Sequence, residues 1–282
     1  RLITAFEPTP IMSPYLLGFV IGDLQHVEAK TKSGKLSRVY STKAHAASSL
    51  KFALEIATEA IDWYEEYLVV TYPLPKCDHI AIPDFAAGAM ENWGLVTYRE
   101  SMLIATTNAS INTKQSIAST IVHELAHMWF GNLVTMKWWD ELWLNESLAT
   151  LMQYMCLDGI KPSYEIWDDF IIGEYQYAKN RDSIKGVQPV WTKINQPDEL
   201  SSVFDGAIVY AKGAVLMLQL KNYIGEKDFK EALSEYLRKF AYSNPSSKQF
   251  LTIFDNVTNK DISGFMKNWL TKPGYPILTA TM

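Results

Sequence analysis

The sequence predicts an α+β fold, with a small β-sheet lobe followed by a mainly helical lobe. Three observations carry that prediction. Short β-branched and aromatic runs, punctuated by Gly and Pro, fill most of the first third. From about residue 113 onward, apolar residues recur at three- and four-residue intervals. The two patterns stand in separate blocks and do not alternate, which argues against a doubly wound α/β sheet.

The elements follow in order. YLLGFVIGDL (15–24) reads as a buried strand, and GKLSRVYST (34–42) as a half-exposed one after a Ser-Gly turn. HAASSLKFALEIATEAIDWYEEYL (45–68) is a helix whose face is Leu50, Ala53, Leu54, Ala57, Ile61 and Tyr64. YPLP (72–75) closes it, because proline cannot continue a helix. Extended runs return at HIAIPDF (79–85), GLVTY (94–98) and SMLIAT (101–106), with GAMEN (88–92) between the first two. Helices are expected over 113–130, 145–158, 163–180, 206–224, 228–241, 246–258 and 261–271, with Asp205, Ser246 and Asp261 as start signals. The final PGYPILTATM turns extended again.

Composition bounds the function. The chain has 282 residues, 48% hydrophobic and 20% charged, enough for a large core. A net charge of −5 argues against nucleic acid as a partner, since phosphate binding needs clustered Lys and Arg. No apolar run approaches the roughly 20 residues that span a bilayer, so no membrane partner is expected. No leader is visible, and Arg1 reads as part of running sequence. The two cysteines, Cys77 and Cys156, lack CxxC spacing and read as reduced thiols of a cytosolic protein.

The chemistry concentrates in TIVHELAHMWFGN (120–132), which holds two of the five histidines. On a helix, His123 and His127 project from one face one turn apart. Two imidazole nitrogens so placed can reach one ion at about 2.0–2.1 Å. Glu124 lies about 100° round the helix, poorly placed as a ligand but well placed as general base beside a metal-bound water. A catalytic zinc needs a third protein ligand. Glu146, with eighteen residues between it and His127, is the preferred one, because Leu148, Leu151, Met152 and Met155 mark a buried face near it. A second helix antiparallel to the first would bring it in. Asp140 and Glu141, in the turn between, are rivals.

HELAH, then eighteen intervening residues and Glu146 in NES, all preceded by GAMEN, resembles the M1 zinc aminopeptidases. Further matching stretches are PDFAAGAMENWGLVTYRE, WFGNLVTMKWWDELWLNES and FDGAIVYAKG. The likeness covers nearly the whole chain and is nearest the lactic-acid-bacterial type. It implies a thermolysin-like (gluzincin) catalytic domain, one Zn2+ ion, and removal of single N-terminal residues from peptides. His123, His127 and Glu146 would bind the zinc, and Glu124 would be the base. Tyr210 would donate to the developing oxyanion. Glu91 would hold the α-ammonium of the substrate. Gly88, Ala89, Met90 and Asn92 would complete the substrate-binding segment, and Ala87 would border the first side-chain pocket. Met128 stands where the family usually has Gln. Residues 1–23 would be terminal strands of a mostly missing β-domain, 24–272 the catalytic domain, and 273–282 the start of a following β segment. The resemblance further implies a cytoplasmic monomer acting on peptides with a free N-terminus.

Each role also has a physical rationale. An exopeptidase must read the α-amino group, and a fixed carboxylate does that. A phenol aimed at the tetrahedral oxygen adds a donor where charge develops. Two other functions fit parts of the pattern: a thermolysin-like endopeptidase, which GAMEN speaks against, and a zinc-stabilised peptide-binding piece without turnover. Trp93, Trp138, Trp139 and Trp143 are read as packing around the site rather than as a subsite.

Overall fold

Side-chain alternation builds the sheet. In the computed structural model, which describes residues 3–277, 279 and 280, strand β2 (Leu36–Thr42) buries every second residue, Ser37, Val39 and Ser41. Strand β3 (Lys76–Ile82) is buried along its interior on both faces, as a central strand must be. With β1 (Leu24–Lys30), β4 (Ala89–Met90) and β5 (Leu95–Arg99) they form a five-stranded mixed sheet in the order β1-β2-β3-β5-β4. β2, β3 and β5 run parallel, and antiparallel β1 and β4 close the two edges. The crossover between β2 and β3 is helix α1 (Lys51–Leu68), which buries Ala53, Ile56, Ala57, Ala60, Ile61 and Tyr64.

The remainder is helical. Helices α2 (Ile111–Ala126) and α3 (Trp143–Ile160) pack on each other and on α1. They are followed by α4 (Ile166–Asp169), α5 (Gln176–Asp182), α6 (Leu200–Val203), α7 (Gly213–Ile224), α8 (Glu226–Phe240), α9 (Ser247–Thr258) and α10 (Ile262–Thr271). Two π-helical stretches, Phe170–Tyr175 and Gly206–Lys212, lead into α5 and α7. One apolar cluster runs through both lobes, from Leu16 and Val39 to Met266 and Leu270.

Several expectations need correction. The run 15–24 is not a paired strand. Pro14–Leu16 form a single 3-10 turn, and Leu17, Phe19 and Ile21 face solvent. Composition favours extended backbone there, but a strand needs a neighbour, and β1 takes the free edge of β2. The described residues 3–23 hold no strand, nor do 273–277, 279 and 280; residues 1, 2, 278, 281 and 282 lie outside the described residues. SMLIAT contributes only part of a 3-10 turn, Glu100–Met102. Helix α1 stops at Leu68, where Val69 turns left-handed (φ 53°), before YPLP is reached. The start signals behave as expected: Asp205 accepts from the Ala207 N–H, Asp261 from the Gly264 N–H, and Ser246 forms a capping box with Gln249.

Candidate active site

The site forms where two buried helices meet. α2 buries Ile117, Ile121, Val122 and Leu125, and α3 buries nearly everything from Trp143 to Leu157. His123 lies in the last turn of α2, His127 caps its end, and Glu146 lies in the first turn of α3. The Nε2 atoms of His123 and His127 stand 3.2 Å apart. Glu146 Oε2 is 3.4 Å from the first and 3.2 Å from the second. Ligands bound at 2.0–2.1 Å around a tetrahedral ion sit roughly 3.3 Å from one another, so the spacing fits one ion.

The outer contacts fix the donor atoms. His123 Nδ1 faces the amide oxygen of Gln153 at 3.1 Å, and His127 Nδ1 faces the Phe130 carbonyl at 3.0 Å. Both acceptors require an N–H at Nδ1, which leaves the Nε2 lone pairs free to converge with the carboxylate. Two neutral imidazoles and a carboxylate, all electron-pair donors, suit a divalent cation, and this donor set is one that zinc takes. With only protein groups present, burial alone would raise the Glu146 carboxyl, yet His127 and hydrogen bonds from both imidazoles draw it down to about 2. Burial disfavours charge on His127, yet Glu146 and Glu91 lift it to about 10. A proton and a metal ion therefore compete for the same nitrogens. Among the described residues this is the group of three His, Cys, Asp or Glu side chains able to hold a metal, its ligand atoms lying within 4.8 Å of one another. Asp140 and Glu141 lie outside it, in the 3-10 turn Trp139–Glu141, where burial raises the Glu141 carboxyl and Ser247 opposes the shift.

Glu124 is buried beside the cluster, and its Oε2 has no hydrogen-bond partner. Burial pushes its carboxyl well above the usual range; His127 opposes the shift, and Glu91 and Glu146 add to it. A carboxylate whose charge is so disfavoured is suited to accept a proton. Tyr210, on the π-helical stretch, lays its ring near that of His123, with centroids 6.1 Å apart and planes at 22°. Burial, then Glu146, Glu91 and Glu124, push its phenol up, so it remains a donor. The stretch is docked hard on α3. Ser147 Oγ donates to the Val209 carbonyl at 2.5 Å, and a Cβ at Gly213 would fall 1.8 Å from that Oγ. Lys212, two residues beyond Tyr210, is buried against Asp182 at 2.8 Å.

GAMEN lies on the sheet edge. Ala89 and Met90 pair with Tyr98 and Thr97, and Glu91 follows, buried, its carboxyl raised by burial, lowered by His127 and raised again by Glu146. Ala87 and Gly88 are exposed. Asn92 turns its side chain inward, donating to the Leu16 carbonyl at 3.4 Å and accepting from Thr97 Oγ1 at 2.9 Å. Arg99 holds the preceding loop through the Phe85 and Ala86 carbonyls, and its backbone N–H donates to Gly88. Trp143 packs edge-on against Phe250, and Trp93 tilts on Tyr242. Trp139 lies between Tyr15 and Phe204, while Trp138 is largely exposed.

The sequence reading passed over Gln153, Ser147 and Arg99. Gln153 had a usable signal, since it lies seven residues beyond Glu146 on the same helix face. The other two act through neighbours that only the fold supplies.

Residues 52–269 match the peptidase family M1 domain. This chain belongs to peptidase family M1. It is 49% identical over 279 residues to the aminopeptidase N of Lactococcus lactis subsp. cremoris (strain MG1363), covering 99% of this chain and 33% of that protein. It is 47% identical over 276 residues to the aminopeptidase N of Lactobacillus helveticus, covering 98% and 33%. To the probable aminopeptidase 1 of Sulfurisphaera tokodaii it is 42% identical over 282 residues, covering 100% and 36%. The chain thus spans about a third of the length of the curated relatives it matches. The mixed sheet plus helices are the α+β architecture expected of an M1 catalytic domain. Among the described residues no helix is long and apolar enough to cross a membrane.

Proposed function

We propose that this chain carries the active site of a zinc aminopeptidase, hydrolysing the N-terminal residue from peptides whose α-amine is free. The observation that carries the reading is the placement of a buried carboxylate, Glu91, within the electrostatic reach of a two-histidine, one-carboxylate cluster. His123, His127 and Glu146 hold the zinc, which when bound polarises the scissile carbonyl and makes water acidic enough to lose a proton near neutral pH. Glu124 takes the proton of the attacking water and returns it to the leaving amine. Tyr210 donates a hydrogen bond to the oxygen that gains charge as the carbonyl becomes tetrahedral. Glu91 binds the substrate ammonium, with Glu146 close enough to share that charge. Gly88, Ala89 and Met90 flank the substrate backbone, Ala87 borders the first side-chain pocket, and Asn92 keeps their loop in place. The partners are peptides, without nucleic acid or membrane, and the proposed setting is a cytoplasmic monomer.

The test is cleavage of a leucine-initiated peptide, free or acetylated at its N-terminus, by zinc-loaded protein. Stepwise cleavage of the free form alone is expected. Equal cleavage of both would make the chain an endopeptidase, and cleavage of neither with zinc bound would make it a peptide-binding piece.

A further inference from the structure

A direct link between the sheet edge and the metal-side helices runs through the turn after α2. Gly131 there has φ +127°, and a Cβ on it would meet the Asn145 amide at 3.2 Å and His127 Nδ1 at 3.4 Å. Glycine lets the chain reverse against both helices at once. The reversal aims Asn132 at GAMEN, and its Nδ2 donates to the Glu91 carbonyl at 2.8 Å in a buried bond. The backbone N–H of the same residue donates to the His127 carbonyl at 3.0 Å. One residue therefore ties the backbone of His127, a member of the metal-binding cluster, to the backbone of Glu91, whose buried carboxylate belongs to GAMEN.

Tyr15 braces the turn from the other side. Its hydroxyl accepts from Asn145 Nδ2 at 3.2 Å and reaches toward the Gly131 carbonyl at 3.5 Å. Its ring lies against Trp139, with centroids 5.6 Å apart. Asn145 immediately precedes Glu146, so this chain of contacts returns to the metal-side helix α3. Burial, followed by the charges of Glu91 and Glu146, keeps the phenol protonated and places it within their field.

The tie matters because β4 is only two residues long and pairs with β5 alone. The ties from Asn92 and Arg99 hold this edge to the sheet and to Leu16, whereas Asn132 joins it to the end of α2. An ammonium–carboxylate bond is lost over a displacement of about 1 Å.

We propose that Asn132 and Tyr15 are positioning residues that fix Glu91 relative to the metal ligands, and that this spacing makes the site read a free amino terminus. The proposal rests on the aminopeptidase reading given above. A purely structural role would weaken every ligand together, whereas a positioning role weakens only ligands that carry the amine.

The test uses equilibrium binding and needs no turnover. Leucine hydroxamate, which chelates the metal and carries a free amine, is titrated into zinc-loaded protein and compared with its N-acetylated form. The unsubstituted chain is expected to prefer the free amine by about tenfold or more, and Glu91→Gln to erase the preference. Asn132→Ala is expected to remove most of it, and Tyr15→Phe to cut it about threefold, with the acetylated form bound as before. Neither should change binding further in a Glu91→Gln background, since coupled residues are not additive. If Asn132→Ala does not fold, Tyr15→Phe decides alone. A full preference kept in these variants but lost in Glu91→Gln overturns the positioning role and leaves the aminopeptidase reading standing. Equal weakening of both ligands overturns it as well. No preference in the unsubstituted chain, or a full preference in Glu91→Gln, overturns the amine-anchor reading and the positioning role with it.

Discussion

The two sides of the candidate site are built differently. On the helical side, the groups around the metal position come from the buried ends of α2 and α3, where Gln153 and Phe130 hold the imidazoles. On the sheet side, GAMEN sits on a two-residue edge strand whose exposed preceding loop is held by Arg99, with Asn132 bonded to the Glu91 carbonyl that follows it. Geometry that must be accurate to a few tenths of an ångström, as metal ligation must, is placed on packed helices. Under the proposed function, recognition of a chain end falls to an edge strand. The difference leads to an expectation: changes on the helical side act on turnover, and changes on the sheet edge act on the affinity for a free amine.

The largest break should come from Glu124→Gln, which keeps the volume of the side chain but removes the base. Zinc content should stay at the unsubstituted level while kcat falls by about 10²–10⁴ or more. Retained turnover would remove Glu124 from its role. Next comes Tyr210→Phe, expected to lower kcat by about 10²–10³ with little change in KM. A fall carried by KM alone would move the phenol from the reacting oxygen to substrate binding. On the sheet side, Glu91→Gln should raise KM for free-amine peptides by roughly one to two orders of magnitude, the loss of a charge-assisted contact. If kcat alone changes, the contrast between the two sides fails.

A smaller effect is expected in stability. His79 on β3 is fully buried, its Nδ1 at 2.9 Å from the Tyr98 hydroxyl. Burial pushes its imidazole down to about 4, whereas an unfolded histidine titrates near 6.5. The unfolded chain therefore binds the proton first, and stability is lost as pH falls from about 6.5 to about 4, by roughly 3 kcal/mol in total. Urea unfolding of metal-free protein near pH 7 and pH 5 should show about 2 kcal/mol of that loss, and His79→Gln should reduce it. The smallest effect is no effect: Cys77 and Cys156 are free and buried, and burial holds the Cys77 thiol up at about 12. A thiol reagent should label both only after unfolding.

Much of this was legible in the sequence, for identifiable reasons. The long helices announced themselves through apolar period and caps, as α9 did with Ser246 and Gln249. The cluster was legible because two of its residues share one helix, four apart. Strand β1 was missed because LQHVEAK is a polar edge strand with no buried face to set its period. The apolar run 15–24 misled for the opposite reason, having strand composition without a partner strand. The π-helical stretches were invisible, since one added residue per turn barely alters an apolar pattern. Tyr210 was found by resemblance alone. Tyr15, Asn132 and Ser147 were not legible at all, because each acts across a sequence separation that only the folded chain closes.

The central claim is that His123, His127 and Glu146 hold one zinc ion while Asp140 and Glu141 do not. Zinc content measured by mass spectrometry after stripping, reloading and dialysis tests it directly. One ion per chain is expected, kept in Asp140→Asn and Glu141→Gln and lost in His127→Ala and Glu146→Gln. Zinc retained in His127→Ala, or lost in Glu141→Gln, would contradict the account.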